Sequence, residues 1–454
     1  MSRRARRKRL PEEPVEVTIK SLSPEGRGVA HVEGKVVFVD FALADEVVEF
    51  KYTKVSKKFD EGRVVNVIKA SPQRVEPICA HFTVCGGCRL QHQENEAQIK
   101  SKQDALMHQF EFLGKIQPNE ILAPLRGPLK HYRQKARLGV KYVHKKEKVL
   151  VGFREKGNSF LADILACPVL HKSVGLRIEA LSNLLFKMKA RASIPQIEVA
   201  IDDTKTALVF RHLEDLCDED KSILTEFAKS HDLQIMLQSG GPDTVVPLWP
   251  KNPPPLSYTL KEQNVTIEFQ SNDFTQVNSE INQSMVSLAL NMLELNAKDN
   301  VLDLFCGLGN FTLAMAKQCA SVVGIEGAQG MVIKARENAQ RNNIENVEFY
   351  AADLSKDISN EPWLNNVKLN KAGASLSYDK ILLDPPRSGA MEMLKHIGKL
   401  NAKRIVYVSC NPATLARDTH ALVHEFGYTL EKAGVMDMFP HTAHVESIAL
   451  FTKK

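Results

Sequence analysis

The sequence predicts a multidomain α/β protein: a doubly wound parallel sheet follows a small β-barrel and a cysteine-bearing central region. Strand and helix patterns alternate over residues 266–454, which is typical of a doubly wound, Rossmann-like sheet. Short strands separated by Gly turns fill residues 15–73, as in a small OB-like antiparallel barrel. Residues 74–265 mix helices and strands around a cysteine cluster. At 454 residues the chain exceeds one hydrophobic core, so several domains are expected.

The composition is that of a globular protein, with 43% hydrophobic and 25% charged residues. The sequence has no apolar run of membrane-spanning length, so no membrane partner is expected. The basic N-terminus leads into PEEPVEVT rather than an apolar segment, which argues against a signal peptide. A cytoplasmic location is expected, and there the eight cysteines would serve as thiols or metal ligands.

The positive charge is concentrated near the N-terminus. The formal net charge is +6, and residues 1–9 contain six basic residues and no acidic one. We expect residues 1–14 to form a basic disordered tail. The rest of the chain is balanced, but eleven Lys or Arg stand against two Glu between Arg126 and Lys156. Such clusters favour a nucleic-acid partner, because neutralising phosphates releases counterions.

The first strand–turn–helix unit of the C-terminal domain, VLDLFCGLGNFTLAMA, predicts a cofactor site. Asp303 is expected at a strand end and Gly307 and Gly309 in the turn, where ligands bind doubly wound sheets. Glu326 is expected to end the next strand, where it suits ribose hydroxyls, and Asp353 to end the one after. The turn lacks the third glycine of a pyrophosphate-binding motif. A nucleoside without phosphate fits better, and S-adenosylmethionine (SAM) is the clearest candidate.

A catalytic pair is predicted where two further strands end. Asp384 closes YDKILLD and Cys410 closes RIVYVSC, and both are expected to converge on the cofactor turn. A thiolate at this place could attack C6 of uracil and make C5 nucleophilic enough to accept a methyl group. A base must then remove the C5 proton, and Glu446, expected at the start of the last strand, could do so. The simpler interpretations are a packing cysteine and a surface carboxylate.

Four other cysteines have the spacing of a metal site. Cys79, Cys85 and Cys88 form C-x5-C-x2-C, and Cys167 follows far downstream. Four thiolates could hold zinc or an iron–sulfur cluster. The uneven distribution, with Pro168 after the last cysteine, favours a [4Fe–4S] cluster over zinc.

The motifs SCNPATLARD, LLDPPRSG, LDLFCGLGNF, SNDFTQVN and FPHTAHVE together resemble the RNA uracil-5-methyltransferase family over essentially the whole chain. The resemblance implies that Cys410 is the nucleophile and Glu446 the proton-abstracting base. It also implies a set of SAM-binding positions: Gln276, Phe305, Asn310, Glu326, Asp353 and Asp384. Asn would serve as well as Asp at position 353.

The resemblance also extends to the substrate. The barrel resembles a TRAM domain, an RNA-binding module, and the central cysteines resemble the iron–sulfur ligands of several bacterial members. The combination of a barrel with a cluster resembles that of the family members that methylate a specific uridine of 23S rRNA. The target base would be flipped into the site, and a monomer is expected. Arg133, Lys135 and Arg137 alternate along one expected strand, where we predict that they bind RNA phosphates.

Three alternatives remain open from the sequence. The same chemistry could act on tRNA or on another rRNA uridine. The chain could be a non-catalytic RNA-binding iron–sulfur protein that keeps the fold. It could also methylate an exocyclic amine, although such enzymes commonly carry N/D-P-P-Y/F where this chain has Arg387 after the two prolines.

Overall fold

A computed structural model of the chain describes residues 10–356, 358–359, 361–365 and 378–453. The predicted tail lies mostly outside the described residues. The chain forms two compact units. The first comprises the residues up to Lys102 together with Arg154–Phe160 and Phe439–His444. The second comprises Gln103–Phe153, Leu161–Met438 and the residues from Val445 onwards.

The first unit contains a six-stranded sheet with the order β1-β5-β6-β4-β3-β2. Its strands are β1 Val15–Thr18, β2 Ser21–Leu22, β3 Gly28–Val32, β4 Lys35–Asp40, β5 Val47–Val55 and β6 Asp60–Lys69. All its pairs are antiparallel except β4 with β6, which are parallel. Alternate residues such as Val39, Val48 and Phe50 point into one apolar core, as the alternating sequence pattern predicts. Register shifts between β5 and β6 bend this sheet.

Helix α1 (Asn95–Gln109) continues as a π-helical turn over Phe110–Gly114. The helical run therefore ends at Gly114, as predicted, but the left-handed residue that closes it is Lys115, with φ +54°. Its N–H donates to the carbonyl of Phe110, which satisfies one of the last carbonyls.

The second unit begins with a mixed sheet in the order β13-β12-β11-β10-β8-β9. A hairpin of β14 and β15 follows it. The elements are β7 Glu120–Ile121, β8 Lys135–Val143, β9 Lys148–Gly152, α2 Lys172–Gly175, α3 Ile178–Lys187, β10 Gln196–Ile201, β11 Thr206–Arg211, α4 Asp218–His231, β12 Leu233–Gln238, β13 Val245–Trp249, β14 Leu256–Leu260 and β15 Val265–Phe269. The segment VTIEFQ is a strand, as predicted, but it pairs in this hairpin and not in the large sheet.

The doubly wound sheet predicted for the C-terminal domain is present. Its order is β18-β17-β16-β19-β20-β22-β21-β7, and the five strands from β18 to β20 run parallel. Its elements are α5 Ser279–Leu293, β16 Asn300–Leu304, α6 Thr312–Ala316, β17 Ser321–Glu326, α7 Gln329–Arg341, β18 Val347–Ala351, α8 Pro362–Asn365, β19 Lys380–Leu383, α9 Met391–Leu400, β20 Arg404–Ser409, α10 Pro412–His424, β21 Thr429–Met436 and β22 Glu446–Thr452. The central strands β16, β19 and β20 are almost wholly buried, as expected of strands covered on both faces.

The last strand has an unusual direction for such a sheet. Strand β22 lies antiparallel between β20 and β21, with Ser447 opposite Ser409. The start of β22 therefore meets the carboxyl end of β20. None of the helices in the described part of the chain combines the length and hydrophobicity needed to cross a bilayer.

Candidate active site

The predicted cofactor turn leaves β16 through an unusual backbone. Phe305, Gly307 and Gly309 all have positive φ, at +68°, +56° and +94°. A non-glycine residue in this region, such as Phe305, is strained and marks a geometry that the surroundings impose. A Cβ at Gly307 would meet nothing within 4 Å, so the backbone here faces open space. The turn therefore presents its main chain to a ligand, as a nucleoside cradle requires.

Glu326 ties the cofactor turn to the next strand. Its Oε2 accepts the N–H of Gly307 at 3.2 Å and its Oε1 accepts the N–H of Ala328 at 3.1 Å. Each carboxylate oxygen can accept further bonds, so both remain usable for ribose hydroxyls. The structure places Glu326 at the end of β17, where the sequence predicted it.

Asn310 and Asp353 have partners of their own. Asn310 pairs side chain to side chain with Asn282, at 2.9 and 3.0 Å, and its Oδ1 also accepts the hydroxyl of Tyr258. Asp353 is exposed and accepts the hydroxyl and N–H of Ser355. These bonds hold the pKa of Asp353 below its usual range. Gln276 lies half-buried in the segment that leads into α5. The cofactor roles of all these residues remain predictions.

Three carboxyl groups at the crevice are hard to ionise: Asp303 and Glu446 are buried, and Asp384 is partly buried. Burial raises the pKa of Asp303 to about 8 and that of Asp384 to about 7. Burial and the nearby Asp384 raise the pKa of Glu446 well above its usual range. Thr312 donates its hydroxyl to Oδ2 of Asp303, whereas Oδ1 has no hydrogen-bond partner within the described residues.

Cys410 lies one residue beyond β20, half-buried, directly before the residue that caps α10. Burial and the neighbouring Glu446 and Asp384 raise the pKa of its thiol, while the guanidinium of Arg387 opposes them with its charge and a hydrogen bond. The antiparallel pairing of β20 and β22 explains why Cys410 and Glu446 meet. The fold thus brings Cys410 near Asp384, as the sequence predicted, and adds Glu446, the predicted base, to the same place.

Arg387 is the functional candidate that the sequence prediction missed. It acts electrostatically on both Cys410 and Glu446. The available signal was its position directly after the DPP that follows β19, which places a cation near the carboxyl ends of the parallel strands. Cys306 and Cys319, by contrast, are buried, and burial raises the pKa of Cys319 to about 12. Both are poor nucleophiles.

The four cysteines predicted to bind a metal fall in both units: Cys167 belongs to the second, the other three to the first. Within the first unit, Cys79 closes a turn with Phe82, and Sγ of Cys85 accepts the N–H of Gly87 at 3.4 Å. The ranges described contain no group of three or more His, Cys, Asp or Glu side chains arranged to hold a metal ion. The iron–sulfur cluster remains a prediction.

The predicted strip of phosphate-binding residues is largely engaged within the protein. Lys135 donates to the carbonyl of Ser271, and burial lowers its pKa to about 8. Arg137 forms an ion pair with Glu198 at 2.7 Å, and Arg133 donates to the carbonyl of Lys135. Arg137 stays exposed despite its ion pair, so phosphate binding by these three residues remains a prediction.

Comparison with known proteins gives two family matches and similar full-length relatives. Residues 94–454 match the model described as tRNA (Uracil-5-)-methyltransferase, and residues 8–65 match the TRAM domain. A protein of Alcanivorax borkumensis is 50% identical over 449 residues, covering 99% of this chain and 98% of its own. One of Methylococcus capsulatus is 49% identical, covering 100% of both chains. Both are named 23S rRNA (uracil(1939)-C(5))-methyltransferase RlmD.

Among solved structures, the Pyrococcus abyssi tRNA (uracil-54, C5)-methyltransferase in complex with S-adenosyl-L-homocysteine matches with a TM-score of 0.71 at 23% identity. The match covers 96% of this chain and 100% of the other. At this identity the match establishes the fold, which agrees with the doubly wound sheet described above. The family match over four-fifths of the chain and the full-length relatives settle its kinship: the chain belongs to the tRNA (uracil-5-)-methyltransferase family.

Proposed function

We propose that this chain methylates C5 of one uridine in 23S rRNA, the counterpart of the uracil at position 1939 named for its relatives. The observation that carries the proposal is the meeting of Cys410 with Glu446 beside Asp384 and Arg387. A nucleophile, a base and a cation at one strand edge are the groups that C5 methylation of uracil requires. The full-length relatives supply the substrate class.

The cofactor turn fits SAM, which would supply the electrophilic methyl group when bound. The open space at Gly307, the carboxylate of Glu326 and the unpartnered Oδ1 of Asp303 within the described residues suit a nucleoside ligand. We propose Gln276, Phe305, Asn310, Glu326, Asp353 and Asp384 as the residues that hold it. Glu326, Asn310 and Asp353 all make hydrogen bonds within the protein, which a ligand would have to share or replace.

The protein groups would divide the chemistry between them. Cys410 loses its proton to solvent, and its sulfur bonds to C6 of the uracil while the C5–C6 π electrons move to C5 and O4. C5 then takes the methyl group, whose bond to the cofactor would break and leave its electron pair on the cofactor. The carboxylate of Glu446 removes the C5 proton, and those electrons restore the C5–C6 bond as the C6–S bond breaks and Cys410 leaves as a thiolate. Arg387 favours the thiolate at both ends of this sequence, and the buried Glu446, once ionised, is a strong base.

The test is covalent trapping with SAM and a 23S rRNA fragment that carries 5-fluorouridine, followed by a denaturing gel. Fluorine at C5 cannot leave as a proton, so the sulfur–C6 bond should persist and shift the band. Cys410→Ala should abolish the shifted band, whereas Glu446→Gln should keep it, because trapping precedes the base step. No adduct with any RNA would refute the proposed chemistry. An adduct with tRNA alone would keep the chemistry and change the substrate.

We further propose that Cys79, Cys85, Cys88 and Cys167 hold a [4Fe–4S] cluster, with zinc as the second choice. The support is the all-thiolate donor set and the backbone N–H bonded to the sulfur of Cys85, an arrangement common around ligating cysteines. Its role would be structural, as a covalent brace for a loop-rich region. Anaerobic purification with iron and sulfide analysis tests this, and stoichiometric zinc or the absence of metal would contradict it.

We also propose that the protein acts as a cytoplasmic monomer, since ribosomal RNA is met there and one chain supplies the whole proposed catalytic set. Light scattering after size exclusion should give a mass near 50.7 kDa, and a dimer mass would contradict the monomer.

A further inference from the structure

A cavity lies outside the proposed catalytic set, in the second unit. It has a volume of about 310 Å³ and is lined by residues from three segments that are distant in sequence. The lining includes Lys130, His131, His171, Lys172, Asn278, Ser279 and Glu280. Two lysines and two histidines face one carboxylate, so the lining favours an anion.

The first argument concerns Asn278, which caps α5. Its Oδ1 accepts the N–H of Ile281, and its side chain is 1% exposed. Its Nδ2 has no hydrogen-bond partner anywhere in the ranges that the structure describes. A buried amide donor without a partner costs about 1–3 kcal/mol, so its retention calls for a ligand that accepts its proton. Asn278 lines this cavity. Its Nδ2 is itself covered in the structure, so contact with an acceptor bound there requires the amide to turn towards the cavity.

The second argument concerns the fifteen-residue helix α5. The first N–H groups of a helix lack intrahelical partners, and their dipoles favour negative charge. Ser279 and Glu280, the first two residues of α5, line the same cavity. The unpartnered amide and the helix start therefore point to the same kind of ligand.

The third argument concerns the two histidines. Nδ1 of His171 accepts the N–H and hydroxyl of Ser173, so in the neutral ring Nε2 carries the proton and can donate. Burial, then Lys172 and His131, lower the pKa of His171, which keeps this tautomer at neutral pH. His131 has a left-handed φ of +58° and is fixed by bonds to the carbonyls of Pro168 and Leu170. Such strain is typical of functional positions.

We propose that this cavity binds one backbone phosphate of the RNA substrate, through Asn278, His171, Lys130 and Lys172. The inference rests on the proposed function, since it takes the substrate to be RNA. Both lysines are exposed, so they can follow a chain that passes the mouth of the cavity. The Glu280 carboxylate opposes the anion, but its charge is outweighed by the two lysines. Gln134, which also lines the cavity, donates its N–H to the carbonyl of Val277. Val277 stands between Gln276, a proposed cofactor residue, and Asn278 of the cavity, so one short segment carries both.

The experiment measures RNA affinity against salt for the full-length protein and for two variants. Lys130→Ala/Lys172→Ala should weaken binding of the 23S fragment and reduce the log–log salt slope by about 1 for each phosphate that is no longer neutralised. Asn278→Asp keeps a good helix cap but replaces the donor with a negative charge, so it should weaken RNA binding. Because the site is buried, the melting temperature of this variant is measured alongside, to separate loss of binding from loss of folding. The matched control is Lys145→Ala/Lys298→Ala, which removes two exposed lysines of the same unit outside the cavity.

A second measurement identifies the phosphate itself. Fragments that carry one neutral methylphosphonate at successive positions should bind the unchanged protein weakly at one position. The double lysine variant should be insensitive at that same position. Equal affinities and slopes for all the proteins would overturn the proposal. The proposal would also be overturned if inorganic phosphate bound in the cavity while the variants bound RNA as tightly as the unchanged protein does. Failure of 5-fluorouridine trapping with intact RNA binding would instead refute only the catalytic proposal.

Discussion

At the scale of single residues, the crevice disfavours the charged forms of the groups that we propose to react. Cys410, Asp384 and Glu446 all have pKa values above their usual ranges, chiefly because each is removed from water. Arg387 is the cation that opposes this effect on Cys410 and Glu446. Cys410, the proposed nucleophile, is therefore a thiol at neutral pH, and Arg387 favours its ionisation.

Arg387→Ala should slow single-turnover adduct formation and move its pH profile towards alkaline values. Removal of the cation raises the pKa of Cys410 further, and each added unit costs about tenfold in thiolate below that pKa. The trapping rate of Arg387→Lys should lie between the rates of Arg387→Ala and of the unchanged protein. The measurement is the rate of 5-fluorouridine trapping between pH 6 and pH 9. An equal loss at every pH would show that Arg387 only positions the RNA.

Asp303→Asn should become more stable relative to the unchanged protein as pH rises. The pKa of Asp303 is raised to about 8, so the stability linked to its neutral form is complete below its ordinary pKa and is lost as pH rises towards 8. Asn cannot ionise and still accepts the hydroxyl of Thr312. Melting temperatures at pH 5 and pH 8 check this. The control is the exposed Asp353→Asn, whose effect should be the same at both pH values, because the pKa of Asp353 is lowered. If the melting temperature of Asp303→Asn differed from that of the unchanged protein by the same amount at both pH values, the raised pKa of Asp303 would be contradicted.

At the scale of elements, close packing decides which glycines can be replaced by a residue with a Cβ. A Cβ on Gly175, the last residue of α2, would stand 2.3 Å from the carbonyl oxygen of Cys167 and 2.8 Å from that of Leu170. Backbone cannot yield as a flexible side chain does. Gly330, near the start of α7, has nothing within 4 Å of the same position.

Gly175→Ala should therefore destabilise the protein by at least about 2 kcal/mol, whereas Gly330→Ala should stabilise α7 by about 0.5–1 kcal/mol. The two substitutions make the same chemical change, so thermal unfolding of both separates packing from helix propensity. A normal melting temperature for Gly175→Ala would mean that the loop carrying Cys167 can shift freely.

The elements also show what sequence patterns can and cannot predict. Alternation and glycine turns predicted the strands and helices of the doubly wound sheet, because these signals are local. They did not predict that β15 pairs in a hairpin with β14, since pairing partners are chosen by distant contacts. The same limit hid the engagement of Asn310 by Asn282 and Tyr258, and the role of Arg387. The meeting of Glu446 with Cys410 was expected mainly from family resemblance.

At the scale of the whole molecule, net charge and RNA affinity have separable sources. The formal charge of +6 equals the basic residues within residues 1–9, so the rest of the chain is neutral overall. Outside the tail, attraction to RNA must therefore come from local sites, such as the proposed phosphate-binding cavity, and not from net charge. The tail would add a uniform, sequence-independent attraction.

Deletion of residues 2–9 should weaken binding to every RNA alike and flatten the salt dependence. The slope should fall by about 0.7 for each single-strand phosphate that the tail would otherwise neutralise. The preference for the 23S fragment over an unrelated RNA should stay unchanged. Filter binding at several salt concentrations measures both quantities. Loss of that preference would mean that the tail itself recognises sequence.

The antiparallel register of β20 and β22 also limits how this gene can diverge. Side chains alternate between the two faces of a strand, so one codon inserted or deleted within either strand would turn Glu446 away from Cys410 or force a bulge between the strands. Because both strands are buried, such a change would also cost stability. Among descendants of this chain, gaps should therefore accumulate in the connecting loops, and an isolated one-codon gap in β20 or β22 would mark a lineage that has abandoned catalysis.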